Sequence, residues 1–157
     1  ESVLRQTYKK LEIIIVDDHS TDNSLEVISK YHDKRIKVVK LRKNSGAAIA
    51  RNKGTELATG GYICYLDSDD YWADDKVERQ VKYMKDNDRA FIYGDYVYCN
   101  NGSFKRVHVP KKITYKDLLK NTAIFTSTVM FNMKHIEKKD IYMTALQKNS
   151  ASRRKIM

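Results

Sequence analysis

The stretch Tyr62-Ile63-Cys64-Tyr65-Leu66-Asp67-Ser68-Asp69-Asp70-Tyr71-Trp72 constrains this chain more than any other. Tyr62 to Leu66 are apolar or aromatic and follow Gly60-Gly61, which predicts a short buried strand. Asp67, Asp69 and Asp70 crowd its C-terminal end, where ligands bind in open α/β sheets. Carboxylates so close repel one another, and folding alone gives little reason to cluster them. A hard divalent cation, Mn2+ or Mg2+, prefers oxygen ligands and would neutralise them. The Asp-x-Asp spacing sets Asp67 and Asp69 near one ion that also accepts diphosphate oxygens. An acidic loop that caps the following helix is the competing explanation.

A second acidic cluster ends a second strand. Leu11 to Val16 is a β-branched run followed by Asp17-Asp18-His19-Ser20-Thr21-Asp22. A continuous apolar run of this length predicts a strand covered on both faces, as in a parallel sheet. Ser20 and Asp22 are candidate N-caps for a helix from Ser24 to Tyr31. Ile36 to Leu41 predicts a strand. Lys43-Asn44-Ser45-Gly46 then turns into an Ala-rich helix from Ala47 to Ala58, stopped by Thr59-Gly60-Gly61. After the acidic strand come a helix to Asn87, a strand from Ala90 to Tyr98, a turn at Asn100 to Ser103 and an antiparallel return from Phe104 to Val109. Further elements are a short helix from Tyr115 to Leu119, a strand from Phe125 to Phe131 and a helix near Lys134. Ser2 to Gln6 reads as helical. The alternation predicts one α/β domain with a mostly parallel sheet flanked by helices.

Composition narrows the classes. A chain of 157 residues with 41% hydrophobic and 32% charged residues supports one domain with a sizeable core. No apolar run approaches the ~20 residues of a membrane span, and the first residues lack the apolar region of a signal peptide. The net charge is +10, and the seven Lys/Arg against two Asp/Glu from Lys134 to Lys155 supply half of it. No interleaved aromatic platform or nucleic-acid motif accompanies that charge, so nucleic acid is not an expected partner. Solvation explains such a surface, and weak attraction to anionic lipid is the alternative. Cys64 and Cys99 lie in apolar runs and are expected as buried free thiols.

If the strands are parallel, both acidic clusters emerge at one sheet edge. An Asp at the first strand end can accept from ribose hydroxyls or a base N–H, and the second cluster can hold a cation on the diphosphate. Gly46 at a helix start and Arg51 one turn further on favour phosphate. Neither the Gly-x-Gly-x-x-Gly nor the Gly-x4-Gly-Lys-Ser/Thr pattern is present. The sum describes a nucleotide-diphosphate pocket.

Four ordered motifs then carry a resemblance. They are Ser2-Val3-Leu4-x-Gln6-Thr7-Tyr8, Glu12-Ile13-x-Ile15-Val16-Asp17-Asp18-x-Ser20-Thr21-Asp22, Asn44-x-Gly46-x-x-x-Ala50-Arg51-Asn52-x-Gly54, and Gly60-x-Tyr62-Ile63-x-x-Leu66-Asp67-Ser68-Asp69-Asp70-x-Trp72. Residues 1 to 90 closely resemble the family 2 glycosyltransferases of GT-A fold. Thr126-Ser127-Thr128-Val129-Met130 is similar to the bacterial members that build capsular, teichuronic or O-antigen polysaccharide. The resemblance implies inverting transfer of a sugar from a nucleotide-diphosphate donor, commonly UDP, to a hydroxyl of a saccharide or lipid-linked acceptor. It implies Asp18 on the uracil with Asp17 supporting that pocket, Asp67 near the ribose and metal-bound water, and Asp69 on the Mn2+ or Mg2+. Ser68, Gly46 and Arg51 join the donor-binding set, Arg51 with a structural role as its alternative. The implied location is cytoplasmic, with peripheral contact at the inner face of the cell membrane.

The chain departs from that pattern at both ends. The family's first strand would precede Glu1, so the expected architecture is a partial GT-A domain over 1–143 lacking that strand, followed by a basic polar tail over 144–157. The tail holds no carboxylate after Asp140, and Glu137 and Asp140 come too early for the family's general base. The catalytic base is therefore unassigned, and a non-catalytic GT-A-like sugar-nucleotide-binding module is the alternative function. Other residues near the clusters have bland explanations. Asp70 can cap the next helix, Trp72 can pack a loop, His19 can be a loop residue, and Asp95 can face solvent. Tyr93, Tyr96 and Tyr98 read as packing residues rather than an acceptor groove.

Overall fold

The computed structural model describes residues 1–100, 102–114, 116–117 and 124–144. Three small sheets and three helices make up these residues. β1 (Ile13–Asp17) pairs in parallel with β2 (Ile36–Lys40), with Ile13 opposite Ile36 and Asp17 opposite Lys40. Between them runs α1 (Ser24–Ser29), whose first N–H is met by the Asp22 carboxylate at 3.0 Å. α2 (Ala47–Leu57) follows, and β3 (Tyr62–Cys64) comes next. α3 (Lys76–Asn87) leads to β4 (Phe91–Ile92). A hairpin of β5 (Tyr96–Asn100) and β6 (Ser103–Val107) follows. Last comes β7 (Met130–Asn132), which inserts antiparallel between β3 and β4.

This arrangement corrects the expected mostly parallel sheet. Among the described residues only β1–β2 is parallel, and the β3–β7, β4–β7 and β5–β6 pairs are antiparallel. Short apolar runs reveal a strand but not its direction, and the partner of β3 arrives some 70 residues later in the chain, at Met130. The described residues form an α/β fold of mixed topology.

Other expectations also shift. The strand predicted from Ala90 to Tyr98 breaks at Tyr93-Gly94-Asp95 into β4 and β5. Phe125 to Phe131 divides into a 3₁₀ turn, Thr126–Thr128, and β7. The helix expected near Lys134 is a 3₁₀ turn at Lys138–Ile141. Ser2 to Gln6 forms a single turn closed by Leu4 and Arg5 N–H groups on the Glu1 carbonyl. The helix proposed for 115–119 and the tail beyond 144 lie outside the described residues, apart from 116–117. Cys64 is partly buried and burial pushes its thiol up, whereas Cys99 is exposed, against expectation.

Core packing follows strand alternation. On one face of the three-stranded sheet, Met130 packs with Val77, Val81 and Met84 of α3, joined by Tyr62 and Cys64. On the other, Ile63, Tyr65, Val129 and Ile141 gather Phe91, Phe131 and Met143. Met84 and Met130 are fully buried, and truncating either would cost about 2–5 kcal/mol. β1 differs: Ile13 to Val16 are only half-buried, so the expected cover on both faces is not seen among the described residues.

The first turn of the chain is stitched into α3 by Gln6, which is fully buried. Its amide donates to the carbonyls of Ser2 and Ala73 and accepts the Val77 N–H at 3.0 Å. It thereby meets one of the free N–H groups at the helix start. Glu12 has a similar role at the base of β1. It accepts from Lys37 Nζ at 2.7 Å and from the Thr59 N–H and hydroxyl, and these bonds hold its carboxyl down at about 2. No described helix is long and apolar enough to cross a membrane.

Candidate active site

The two acidic clusters sit in separate sheets, and α2 joins them. At the end of β1, Asp17 is buried and its carboxylate accepts the Ser20 N–H at 3.2 and 3.4 Å. His19 closes this turn in the left-handed region at φ 63°, where His is among the tolerated residues. His19 is exposed, consistent with a loop residue.

Asp18 reaches across to the start of α2. Its two oxygens accept the N–H groups of Ser45 and Gly46, each at 2.7 Å. Gly46 has φ 89° and ψ 158°, a conformation open in practice only to glycine. A carboxylate at a helix N-terminus is favoured by the helix dipole. The N–H groups expected to favour phosphate thus bind Asp18 here.

Arg51 follows on α2, about 7–8 Å further along the axis. Its guanidinium pairs with the Asp67 carboxylate through Nη2 and, at 3.2 Å, through Nε. Asn52 forms a two-way amide clasp with the Met143 backbone, at 2.8 and 2.7 Å. At Gly54 a Cβ would lie 3.6 Å from Val16 Cγ2, so this position brings α2 close to β1. Thr55, also buried, shares a 2.6 Å hydrogen bond with the Tyr65 hydroxyl. Residues 51 to 55 therefore contact β1, the acidic loop and the segment ending at 143.

The acidic loop is clamped from the far side by Ser127. Its hydroxyl donates to the Asp70 carboxylate and accepts the Asp67 N–H at 3.1 Å. Its carbonyl accepts the Trp72 indole N–H at 2.8 Å. Lys76 Nζ stands 4.0 Å from the centre of the Trp72 ring, in cation–π range, it has no hydrogen-bond partner among the described residues, and burial pushes its pKa down. Trp72 packs the loop, and Asp70 binds Ser127 rather than capping α3. Ser127 was not among the residues singled out from the sequence as binding; its only signal was its place in the Thr126-Ser127-Thr128 run.

Ser68 and Asp69 are exposed, and the Asp69 carboxylate has no partner among the described residues. Among those residues no group of three or more His, Cys, Asp or Glu side chains is placed to cage a metal ion. Two carboxylates with oxygen donors are nevertheless what Mg2+ takes when substrate phosphates complete its shell. Asp95 accepts the Val109 N–H at 2.9 Å and pairs with His108 Nδ1 at 2.7 Å, and those bonds hold its carboxyl below the usual range. Glu137 and Asp140 form a reciprocal capping box on their own 3₁₀ turn.

The class that this fold and site define agrees with comparison to known proteins. The profile of Glycosyl transferase family 2 matches residues 1–154, and the chain belongs to that family. It is 46% identical over 136 residues to TuaG of Bacillus subtilis, named as a teichuronic acid biosynthesis glycosyltransferase, covering 83% of this chain and 54% of that protein. It is 40% identical over 151 residues to WfgD of Escherichia coli, a UDP-Glc:alpha-D-GlcNAc-diphosphoundecaprenol beta-1,3-glucosyltransferase, covering 90% of this chain and 60% of that one. The chain thus spans little more than half the length of these relatives. Among solved structures, S. aureus TarS residues 1–349 superpose with a TM-score of 0.73 at 23% identity, over 92% of this chain and 45% of that one. The mannosyltransferase PcManGT of Pyrobaculum calidifontis, in complex with GDP-Man and Mn2+, gives 0.60 at 20% identity, over 85% of this chain and 39% of that one. These two likenesses speak for the fold.

Proposed function

We propose that this chain is the donor-binding part of an inverting glycosyltransferase. The donor is a nucleotide-diphosphate sugar, UDP-linked as in WfgD, and the acceptor is a hydroxyl of a saccharide carried on a lipid diphosphate during cell-surface polysaccharide synthesis. The observation that carries the reading is the bridge made by α2. One helix holds Asp18 at its start and Asp67 through Arg51, while Asp69, two residues on, is exposed and without a partner among the described residues.

Asp17 and Asp18 shape the loop that receives the nucleoside, and Ser68 lines the donor side of the acidic loop. Asp67 and Asp69 would hold Mn2+ or Mg2+, as the donor set allows and as the Mn2+ complex of PcManGT supports for this fold. Such a cation, when bound, neutralises charge on the leaving diphosphate. Arg51 orients Asp67, and Ser127 sets the height of the loop.

One observation favours a second reading, a non-catalytic sugar-nucleotide-binding module. Glu137 and Asp140, the acidic residues of the described C-terminal segment, are engaged with their own turn and not aimed at a site. Turnover of a UDP-sugar separates the two readings. The first test is calorimetric titration of UDP with and without Mn2+, on this chain and on Asp69→Ala. The expected result is binding that needs the metal and disappears in the variant. Absence of binding in a folded chain, or binding indifferent to both metal and variant, would overturn the donor-site assignment.

A further inference from the structure

The β5–β6 hairpin has no part in the site described above, yet it carries Phe104, the most exposed aromatic after Tyr71 among the described residues. Its register places Val97 opposite Arg106 and Cys99 opposite Phe104 on one face, with Tyr96 opposite Val107 and Tyr98 opposite Lys105 on the other. The root is fastened. Tyr96 packs on Phe125 with ring centres 4.4 Å apart, Asp95 binds His108 and the Val109 N–H, and the Tyr93 hydroxyl donates to the Pro110 carbonyl at 2.7 Å.

Beyond the root the arm is apolar and wet. Val97 is 54% exposed, Tyr98 56% and Phe104 76%. Lys105 and Arg106 beside them are also exposed. From Tyr96 to Lys112 the chain holds four Lys/Arg and no Asp or Glu. Val97 and Phe104 are diagonal neighbours on the face that also carries Arg106, and exposed apolar groups placed together in this way mark a contact surface rather than ordinary surface scatter. An aromatic ring, an aliphatic group and a long cationic side chain together suit the boundary between lipid headgroups and acyl chains, where apolar area is buried and Lys/Arg meet phosphate.

We propose that the β5–β6 hairpin docks this protein on an anionic phospholipid surface, with Phe104 and Val97 of one face entering the headgroup boundary, Arg106 of that face on lipid phosphate, and Lys105 of the opposite face adding longer-range attraction to the anionic surface. The placement has a consequence. Phe125, against which Tyr96 packs, directly precedes the turn whose Ser127 holds Asp67 and Asp70. A docked hairpin therefore brings the acidic loop close to the bilayer, where a lipid-linked acceptor lies. That consequence rests on the glycosyltransferase reading; the docking does not.

Co-sedimentation of the full chain with vesicles tests it, using phosphatidylcholine alone and phosphatidylcholine mixed with phosphatidylglycerol. Binding is expected on the mixed vesicles and about tenfold or more weaker on the neutral ones. Val97→Ser with Phe104→Ser should weaken it about tenfold at any salt concentration, and Lys105→Glu with Arg106→Glu should remove both binding and its salt dependence. Lys82→Glu with Lys85→Glu on α3, equal in charge change, should leave it intact. UDP titration is run on every variant, so loss of folding or of the donor site is read separately. No binding to the mixed vesicles would overturn the proposal, as would equal loss in the α3 variant. So would a hairpin that instead mediates self-association, dissolved by Phe104→Ser with vesicle binding unchanged.

Discussion

The two acidic clusters look alike in sequence and behave differently in the structure. At the end of β1 the carboxylates of Asp17 and Asp18 bind backbone N–H groups of Ser20, Ser45 and Gly46. At the end of β3 the carboxylates of Asp67 and Asp70 bind side chains, Arg51 and Ser127, and Asp69 binds nothing among the described residues. Backbone partners are fastened to the fold, so the first cluster is scaffold and its geometry is set before any ligand arrives. Side-chain partners can rotate away, so the second cluster can exchange Arg51 or Ser127 for a ligand without unfolding the loop. The lesson is that carboxylate density locates a site, while the partner type says which carboxylate is available to it.

This contrast is open to attack by substitution. Asp18→Ala removes two charge-assisted hydrogen bonds at a helix start and should destabilise the chain by about 2–3 kcal/mol, measured by urea unfolding. A loss below about 0.5 kcal/mol would show that the first cluster is no more structural than the second. Arg51→Met leaves Asp67 half-buried without its cation. The expected cost is about 1–2 kcal/mol in stability, with weaker metal-dependent UDP binding because Asp67 is no longer oriented. Stability lost with UDP affinity unchanged would make Arg51 a packing residue only.

Glu12 sharpens the scaffold side through pH. Its carboxyl, ordinarily at 4.5, is held at about 2, first by Lys37 and then by Thr59. A depressed carboxyl stabilises the fold fully above its unfolded value and loses that contribution as pH falls through the folded one. Wild type should therefore exceed Glu12→Ala by about 1 kcal/mol at neutral pH. The two unfolding curves should converge between pH 4.5 and 2, which an acid titration followed by circular dichroism would show. A constant gap down to pH 2 would assign the effect to lost packing. The smallest stability change is expected for Asp69→Ala, within about 0.5 kcal/mol, although it should abolish metal-dependent UDP binding. A large stability loss there would erase the distinction between the clusters.

Much of the fold was legible as local pattern. The positions of α2, β1 and β3 follow from apolar runs, the Ala-rich segment and the Gly60-Gly61 stop, although β1 starts two residues later and β3 ends two residues earlier than those runs, and the hairpin at 96–107 follows from its turn residues. Two of the four motifs that marked the family acquire physical reasons here: in the first Gln6 caps α3, and in the third Gly46 adopts its glycine-only conformation, Asn52 clasps Met143 and Gly54 brings α2 close to Val16. Those reasons were not legible, because each partner lies on another element.

What the amino-acid sequence determined by itself was therefore local and chemical. Strand and helix positions come from side-chain periodicity and turn chemistry, which act over a few residues. The crowding of carboxylates at Asp17-Asp18 and Asp67 to Asp70 is written in the order of residues, and so is the hard-cation chemistry it invites. Tertiary structure alone decided strand direction, because β7 enters between β3 and β4 from the far end of the chain and reverses the pairing. It also decided which carboxylates are committed, because Ser45, Gly46, Arg51 and Ser127 reach them only after α2 and the Thr126–Thr128 turn have packed. A carboxylate's availability depends on how many donors the fold aims at it, and that count exists only in three dimensions.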